Sequence, residues 1–586
     1  MKRFSLLFIY CFCFCHAGSL LAQTNILSTT PLAEQILLSN YNPTDYAPAS
    51  ATPLLPTELA AQLQAHISPD SLKAYIIRLS EFGTRNSGSD TVSANEGIGA
   101  ARRWTHQKFS EFSAANDGRL IPSYLQFDLS ICGAGQHKNI FAVLPGSNPT
   151  SGVVLVEGHI DTRCDTLCDV TCRAEGVEDN ATGTALVLEL ARVMSRYQFT
   201  NTIIFLVTIA EEQGLLGADA FADYVQQKYI PLRAVLNNDV IGGILCGKTS
   251  SPPSCPGLND VDSTSVRLFS FGGNNSKYKQ LARFNKLQYQ ENVLPFAQVP
   301  MTVRIMSAED RSGRGGDHIP FREHNYASMR FTSANEHGDA SNGPNYTDRQ
   351  HTSDDVLGVD TNGDGEVDSF FVDFNYLARN TLINANALAI AARSVALPPN
   401  FTAFRVGSDL TVYFDSPIDT HTIRIAVRNL ATLDWDTVYT ISPGFSTVMT
   451  CSPTLSTYIS VAGVDEWGAE SLFSEEKLVK SHASGTGEPG SAEPEPNFRL
   501  FQNRPNPFDE ATWISFWVNE VPPDTHSAFM QISDLQGRVV QNMPVTLQQG
   551  MNEVLYTHGF GVRGTFTYAL WVGGKAVDAR QMIFAN

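Results

Sequence analysis

Basic residues are scarce in this sequence: Lys and Arg number 41 against 60 Asp and Glu in 586 residues, a formal charge of −19. A nucleic-acid binder needs a cationic face to neutralise phosphates, so the balance argues for no nucleic acid as partner. Also missing is any later run of 18 apolar residues, and no transmembrane segment is expected in the mature chain. A disordered composition is absent too: hydrophobic residues make up 42% and charged residues 17%, ample material for real cores. The length corresponds to about three or four domains.

Cysteine is sparse, ten in all, and its placement follows from the N-terminus. Lys2 and Arg3 precede an apolar run from Phe4 to Phe14 and a small-residue stretch from Ala17 to Ala22, with cleavage expected before Gln23. Residues 1–22 therefore read as a secretory signal peptide, too short in its apolar part to span a bilayer. No lipobox surrounds Cys11, Cys13 or Cys15, and those three leave with the signal. Seven cysteines remain, and in an oxidising compartment they should mostly pair, with one left over. Cys164, Cys168 and Cys172 read as a disulfide-clamped surface loop rather than a metal site, because no histidine lies among them. Cys246 with Cys255 is the most natural bridge, closing a Pro- and Ser-rich loop.

Between about Asp70 and Ser394 helical and strand-like stretches alternate. Ser71–Phe82, Asn95–Phe112, Thr184–Arg196, Leu216–Gln227, Ser276–Asn285 and Phe370–Ala396 read as helices. Asn139–Leu144, Val153–Val156, Thr202–Ile209, Arg233–Leu236 and Val266–Phe271 are near-continuous apolar strands, the pattern of a sheet covered on both faces. The expected fold is α/β, a mixed, mostly parallel sheet between helical layers, followed by two small all-β sandwich domains. The first of these is 397–480, with Leu410–Phe414, Thr422–Val427 and Tyr458–Ala462 as alternating strands. A Gly/Ser/Pro/Glu-rich flexible linker, 481–497, leads to the second, 498–586.

Chemistry gathers at the strand ends, where open α/β sheets bind their ligands. His159 and Asp161 follow the strand through Val156, and the Asp161 carboxylate is suited to accept the second ring N–H of His159. Asp179 opens a helix and reads either as its N-cap or as a ligand. The small residues behind it, Ala181-Thr182-Gly183, suit close backbone approach to a metal. Glu211 and Glu212 end the most apolar strand of the chain, an expensive position for two carboxylates unless a cation meets them. Asp239 follows another strand, and His351 lies in the polar run from Tyr346 to Asp355. Two His, two Asp and a Glu pair at element ends of one layer structure suit a borderline-soft divalent ion, zinc best. A second candidate is Asp360-Thr361-Asn362-Gly363-Asp364-Gly365-Glu366-Val367-Asp368, which has the alternation of a calcium loop. Phe371 stands where the usual bidentate Glu would be, so the segment is either a structural calcium site or an acidic turn.

The ordered set GHIDT, EDNATG, EE, NND and QHTSDD resembles the cocatalytic dizinc exopeptidases of metallopeptidase family twenty-eight. Gly316–Phe321, Gly83–Asp90 and Gly97–Trp104 fit the same family, so the resemblance covers most of a zinc peptidase domain placed at 23–396, which also includes an N-terminal lead segment. It implies two Zn2+ ions: His159 and Asp239 on one, Glu212 and His351 on the other, Asp179 bridging them, Asp161 orienting His159. It further implies an aminopeptidase that hydrolyses the N-terminal bond of peptides or proteins through a dizinc-bridged hydroxide, with Glu211 as general base. The Cys164–Cys172 insertion departs from the family pattern. His106, His137, His318, His324 and His337 match no ligand position. A glutaminyl cyclase of the same fold and a metal-free cell-surface binding module are the alternatives. Ile459–Glu475 resembles the end of a fibronectin type III domain. The stretches FQNRPNPFDEATWISFWV, ISDLQGRVV and GTFTYALWVGGKAVDARQMIF resemble the C-terminal sorting domain of type IX secretion cargo. That resemblance implies the type IX machinery as partner and export through periplasm and outer membrane, to be secreted or attached at the cell surface.

Overall fold

Strands with no polar alternation dominate the centre of the molecule because helices cover them on both sides. The computed structural model describes residues 23–48, 54–245, 260–273, 276–311, 314–335, 349–393, 401–406, 409–414, 421–430, 432–444, 446–450, 456–480, 497–508, 510–522, 528–535, 537–558 and 563–585. Residues 1–22, most of the linker, Cys246, Cys255, Cys451, His337 and Tyr346–Asp348 lie outside them. Strands β1 (Thr24–Ser28), β2 (Ile121–Ile131), β3 (Ala134–Leu144), β4 (Val153–His159), β5 (Thr202–Thr208), β6 (Leu232–Asn238), β7 (Ser265–Phe269), β8 (Thr302–Ile305) and β9 (Ser328–Ser333) form one nine-stranded sheet. Its order is β1-β2-β3-β5-β4-β6-β9-β7-β8. Parallel pairing joins β5, β4, β6 and β9 in the middle and β7 with β8 at one edge. The β1–β2–β3 flank and the β7–β9 pair are antiparallel. β4, β5, β7 and β9 are buried at every residue.

The helices are α1 (Pro31–Leu37), α2 (Pro56–His66), α3 (Pro69–Ser80), α4 (Gly97–Ala114), α5 (Thr182–Met194), α6 (Leu216–Gln227), α7 (Lys277–Gln288), α8 (His318–Glu323) and α9 (Phe374–Arg393). α3 starts two residues before the sequence pattern suggests, because Pro69 fits its first turn and the Ser68 hydroxyl caps the N–H of Ser71. α9 begins at Phe374 because Ser369–Phe370 pairs with Gly358–Val359 in a small hairpin. Gly158 in β4 backs onto α5, where a Cβ would come within 2.8 Å of the Gly183 carbonyl carbon. Its neighbour Glu157 faces the other side, toward Asp317 at the start of α8. α5 and α9 thus cover one face of the central strands, and α6 with α8 covers the other. No helix among the described residues is long and apolar enough to cross a membrane.

Two disulfides are present among the described residues, Cys164–Cys172 and Cys132–Cys168. The cysteine triplet is therefore disulfide-bonded, and one partner comes from the β2–β3 turn 36 residues away.

Residues 401–479 form sheets of three and four strands with a core of Leu410, Val412, Ile425 and Val461, among others. Residues 498–584 again form sheets of three and four strands, around Leu500, Phe516, Ile532 and Tyr568. The first β unit does not hang free. Gln280 of α7 donates to Ser460 Oγ at 2.7 Å, Arg283 donates to the Leu433 carbonyl at 2.6 Å, and Gln288 reaches Glu470 at 2.5 Å. Ala426, Ala462 and Phe473 join the apolar core of the larger unit. The second β unit touches the larger one where Trp513 Nε1 donates to the Ser307 carbonyl at 2.9 Å.

Candidate metal centre

Four strand or helix ends and one loop converge at the C-terminal edge of the parallel strands. β4 ends on His159 itself, β5 runs on into Glu211 and Glu212, and β6 into Asp239. Asp179 lies in the irregular turn before α5, joined to Asn180 by a cis peptide bond. His351 arrives on the loop after β9 with φ of 60°, and Ala210 and Val240, beside Glu211 and Asp239, also take positive φ at 58° and 54°. Left-handed backbone at non-glycine residues is uncommon and gathers at functional sites.

Asp179 turns one carboxylate oxygen to each histidine: Oδ1 lies 3.2 Å from His159 Nε2 and Oδ2 lies 3.1 Å from His351 Nε2. Asp239 Oδ1 lies 3.2 Å from His159 Nε2, and Glu212 Oε2 lies 3.2 Å from His351 Nε2. Two donor triads therefore share Asp179, and within each the ligand atoms lie within 4.8 Å of one another. All five residues that the sequence nominated as zinc ligands meet here. The donors are imidazole nitrogen and carboxylate oxygen, the mixture zinc accepts, and they crowd together in a buried pocket where unbalanced negative charge is costly. The residues fit the ion.

The electrostatics have the same origin. Burial drives the Glu211 carboxyl well above its usual range, with Asp239 and Glu212 adding repulsion, and Glu212 is raised by burial and by Asp179. Burial opposes charge on His159, yet Asp239 and Glu211 hold its pKa well above that of a free imidazole. Asp239 stays low despite burial because the Arg330 guanidinium sits 3.1 Å from its Oδ2.

Asp161 is buried behind the site, and its role is wider than orienting one ring. His159 Nδ1 lies 3.2 Å from the Asp161 carbonyl oxygen and 3.5 Å from its carboxylate. The two carboxylate oxygens accept the backbone N–H groups of Glu211 and Glu212, each at 3.2 Å. The small residues after Asp179 also have a different cause from the one their sequence suggests. A Cβ on Gly183 would come within 2.1 Å of the Asn238 carbonyl oxygen, so the close approach is backbone on backbone.

Several functional neighbours escaped the sequence reading. Arg163, directly after GHIDT, pairs with Glu212 at 2.9 Å and meets His351 Nδ1 at 2.6 Å. Arg330 links Asp239 to Asp310, at 3.1 and 3.0 Å. Only the place of Arg163 directly after GHIDT and of Arg330 within a fully buried strand hints at this. His106, His137, His318 and His324 take no part. His106 stacks on Tyr124, His137 meets the Leu129 and Ala134 carbonyls, and His324 pairs with Asp223. His318 is buried, and burial pulls its pKa down to about 4.

The Asp360–Asp368 segment is an exposed turn between the two hairpin strands. Asp360 accepts N–H bonds from Gly363 and Gly365, Asn362 from Asp364, and Asp364 from Glu366. Among the described residues, its acids form no group of three converging ligand atoms; the two triads on Asp179 alone do so.

Residues 139–370 match the family model described as peptidase family M28. A probable zinc metalloprotease of Leptosphaeria maculans is 30% identical over 359 residues, covering 59% of this chain and 79% of that protein. One from Pyrenophora tritici-repentis is 32% identical over 361 residues, with shares of 59% and 79%. Among solved structures, the LapA aminopeptidase of Legionella pneumophila aligns over 60% of this chain and 78% of its own, at 17% identity and a TM-score of 0.42. The glutaminyl cyclase of Porphyromonas gingivalis aligns over 55% and 98%, at 17% identity and a TM-score of 0.37.

Proposed function

Because the chain belongs to peptidase family M28, and is thus a zinc-dependent hydrolase of peptides, we propose that it is an aminopeptidase with two zinc ions. The observation that carries the reading is the single Asp179 carboxylate facing two histidines from opposite sides. His159 and Asp239 would hold one ion, Glu212 and His351 the other, and Asp179 both. Bound zinc would supply Lewis acidity toward the scissile carbonyl and a lowered pKa for water.

The chain's own residues do the rest. Glu211 belongs to neither triad. Its carboxyl faces His159, Asp239 and Glu212, so it lies beside both triads. Such a group takes up a proton from the attacking water and returns it to the leaving amine. Asp161 fixes the backbone of Glu211 and Glu212 so that adjacent side chains keep separate tasks. The Cys164–Cys172 loop begins next to Arg163 and is pinned by Cys132–Cys168, which would place it as a wall of the pocket.

Secretion is part of the proposal and rests on the residues at both termini: the signal-like start, and a sorting unit that engages the type IX machinery. The fibronectin type III-like unit between them braces α7. The acidic turn at 360–368 is proposed to bind one structural calcium ion, supported by the alternation of its acids with two glycines at positive φ. Zinc analysis of the purified chain, with a panel of aminoacyl chromogenic substrates, tests the central reading. Two zinc equivalents and amino-acid release are expected. Cyclisation of glutaminyl peptides without release would make it a glutaminyl cyclase, and a metal-free inert protein would make it a binding module.

A further inference from the structure

The GTRNSGSD segment (Gly83–Asp90) supplies no ligand, yet Arg85 within it is fully buried against the loop that carries Asp179. Its Nε donates to the Ile160 carbonyl at 2.7 Å, Nη2 to the Gly176 carbonyl at 3.0 Å, and Nη1 to the carbonyls of Glu175 and, at 3.0 Å, Leu79. Its main-chain N–H meets Thr162 Oγ1 at 3.0 Å. One guanidinium therefore ties the end of β4 to the start of the Asp179 turn, closing the neck of the disulfide loop between them.

Asp355 holds the same turn by its amides. The Asp355 carbonyl accepts the N–H of Val177 at 3.2 Å, Oδ1 accepts that of Glu178 at 2.8 Å, and Oδ2 accepts that of Asp179 at 3.0 Å. Asp355 is itself buried and lies four residues after His351. The loop that delivers one ligand thus fastens the turn that delivers the shared one. Asp355 also heads the acids whose field offsets the burial of Arg85.

The geometry points to Arg85 and Asp355 as positioning residues of the metal centre: they grip the Glu175–Asp179 turn by its carbonyls and its amides and so set where the Asp179 carboxylate lies. Asp179 must address two histidines with one rigid group, and a small rotation of its backbone would lose one of them. Partners that orient metal ligands typically cost 10–100-fold in metal affinity or activity when removed. The inference rests on the two-zinc reading above.

The test uses the full chain as wild type, Asp355→Asn, Asp355→Ala and Arg85→Lys. Zinc affinity is measured by competition with a chromophoric chelator, and the cobalt-loaded proteins are compared by visible spectroscopy. Asp355→Asn keeps the shape but offers one acceptor where two are needed, so zinc affinity should fall about 10-fold, and Asp355→Ala should fall toward 100-fold. Arg85→Lys keeps the charge but lacks the planar fork and should lie between wild type and Asp355→Ala. In each, the cobalt spectrum should shift and kcat should fall more than KM rises. Should the alanine variant not fold, Asp355→Asn and Arg85→Lys carry the decision. Folded variants with zinc affinity and cobalt spectrum within twofold of wild type would overturn the inference. A wild type that binds one zinc would sink the two-zinc reading instead, while the affinity ratio would still decide the positioning role.

Discussion

The Asp161 carboxylate accepts the amide N–H of Glu211 at 3.2 Å, and its second oxygen accepts the next amide along the chain at the same distance. Two adjacent glutamates are thereby fixed by one buried acid, which makes their division of labour testable. Glu211→Gln should keep both zinc ions and lose kcat by about 10²–10⁴-fold, the range for removing a general base. Glu212→Gln should lose zinc first, since its Oε2 lies 3.2 Å from His351 Nε2. Metal content and turnover of the two variants, measured together, check the assignment; the opposite pattern would reverse it.

Gly183→Ala should be disproportionately harmful for one methyl group. The new Cβ would come within 2.1 Å of the Asn238 carbonyl oxygen and 2.6 Å of the Asn180 amide, and the residue after Asn238 is the proposed ligand Asp239. Overpacking of this kind costs roughly 1–3 kcal/mol or more. A lowered melting temperature with reduced zinc content is expected. Wild-type behaviour in both would mean that β6 and α5 can separate without disturbing the centre.

The interface of α7 with the first β unit carries a pH signature. Burial raises the Glu470 carboxyl to about 7, with Glu291 adding repulsion and Arg424 opposing. The folded form therefore keeps a proton that the unfolded chain has released, across the window from about 4.5 to 7. Stability from this group is complete below that window, falls as pH rises through it, and levels off above it. Glu470→Gln removes the slope. Thermal unfolding should show the variant more stable at pH 8, by on the order of 1–3 kcal/mol, and equal to wild type near pH 4.5. A constant difference across pH would place the cause elsewhere.

Calcium should raise the melting temperature of the zinc-loaded protein with little change in rate at ambient temperature, because an ion bound only by the folded form stabilises it through linkage. Asp364→Ala should abolish that response and leave zinc stoichiometry unchanged. A melting curve that ignores calcium would leave residues 360–368 as an acidic turn.

Three of the five proposed ligands were legible because a buried strand that ends in a carboxylate or imidazole announces its own cost, while Asp179 and His351 were reached only through the ordered motifs. His159, Glu212 and Asp239 are of this kind, and the α/β layering follows from the same runs. Arg85, Asp355 and Arg163 were not legible, since each acts on segments far along the chain and none interrupts a periodic pattern. Gln280, Arg283 and Gln288 mark the polar face of an amphipathic helix, which reads as solvated until another unit is found to cover it. Of the β2–β3 hairpin only Asn139–Leu144 was read as a strand, and β9 was not read at all. β2 was missed although Leu125 to Ile131 alternates apolar and polar residues, the period of a half-buried strand, and β9 carries Arg330 and Thr332 in its middle, polar residues that only their buried partners explain.

The first β unit has a core of its own but also lends Ala426, Ala462 and Phe473 to the apolar core of the α/β unit, whereas the last β unit lends no buried residue to it. Cooperativity follows that partition. The first two units should unfold in a single calorimetric transition, and the terminal unit in another. A peptidase cut at the α9 boundary would expose apolar surface meant for its neighbour and should aggregate. For this chain, the shortest fragment expected to melt as a native protein ends near Lys480, beyond the α/β fold that carries the proposed zinc ligands.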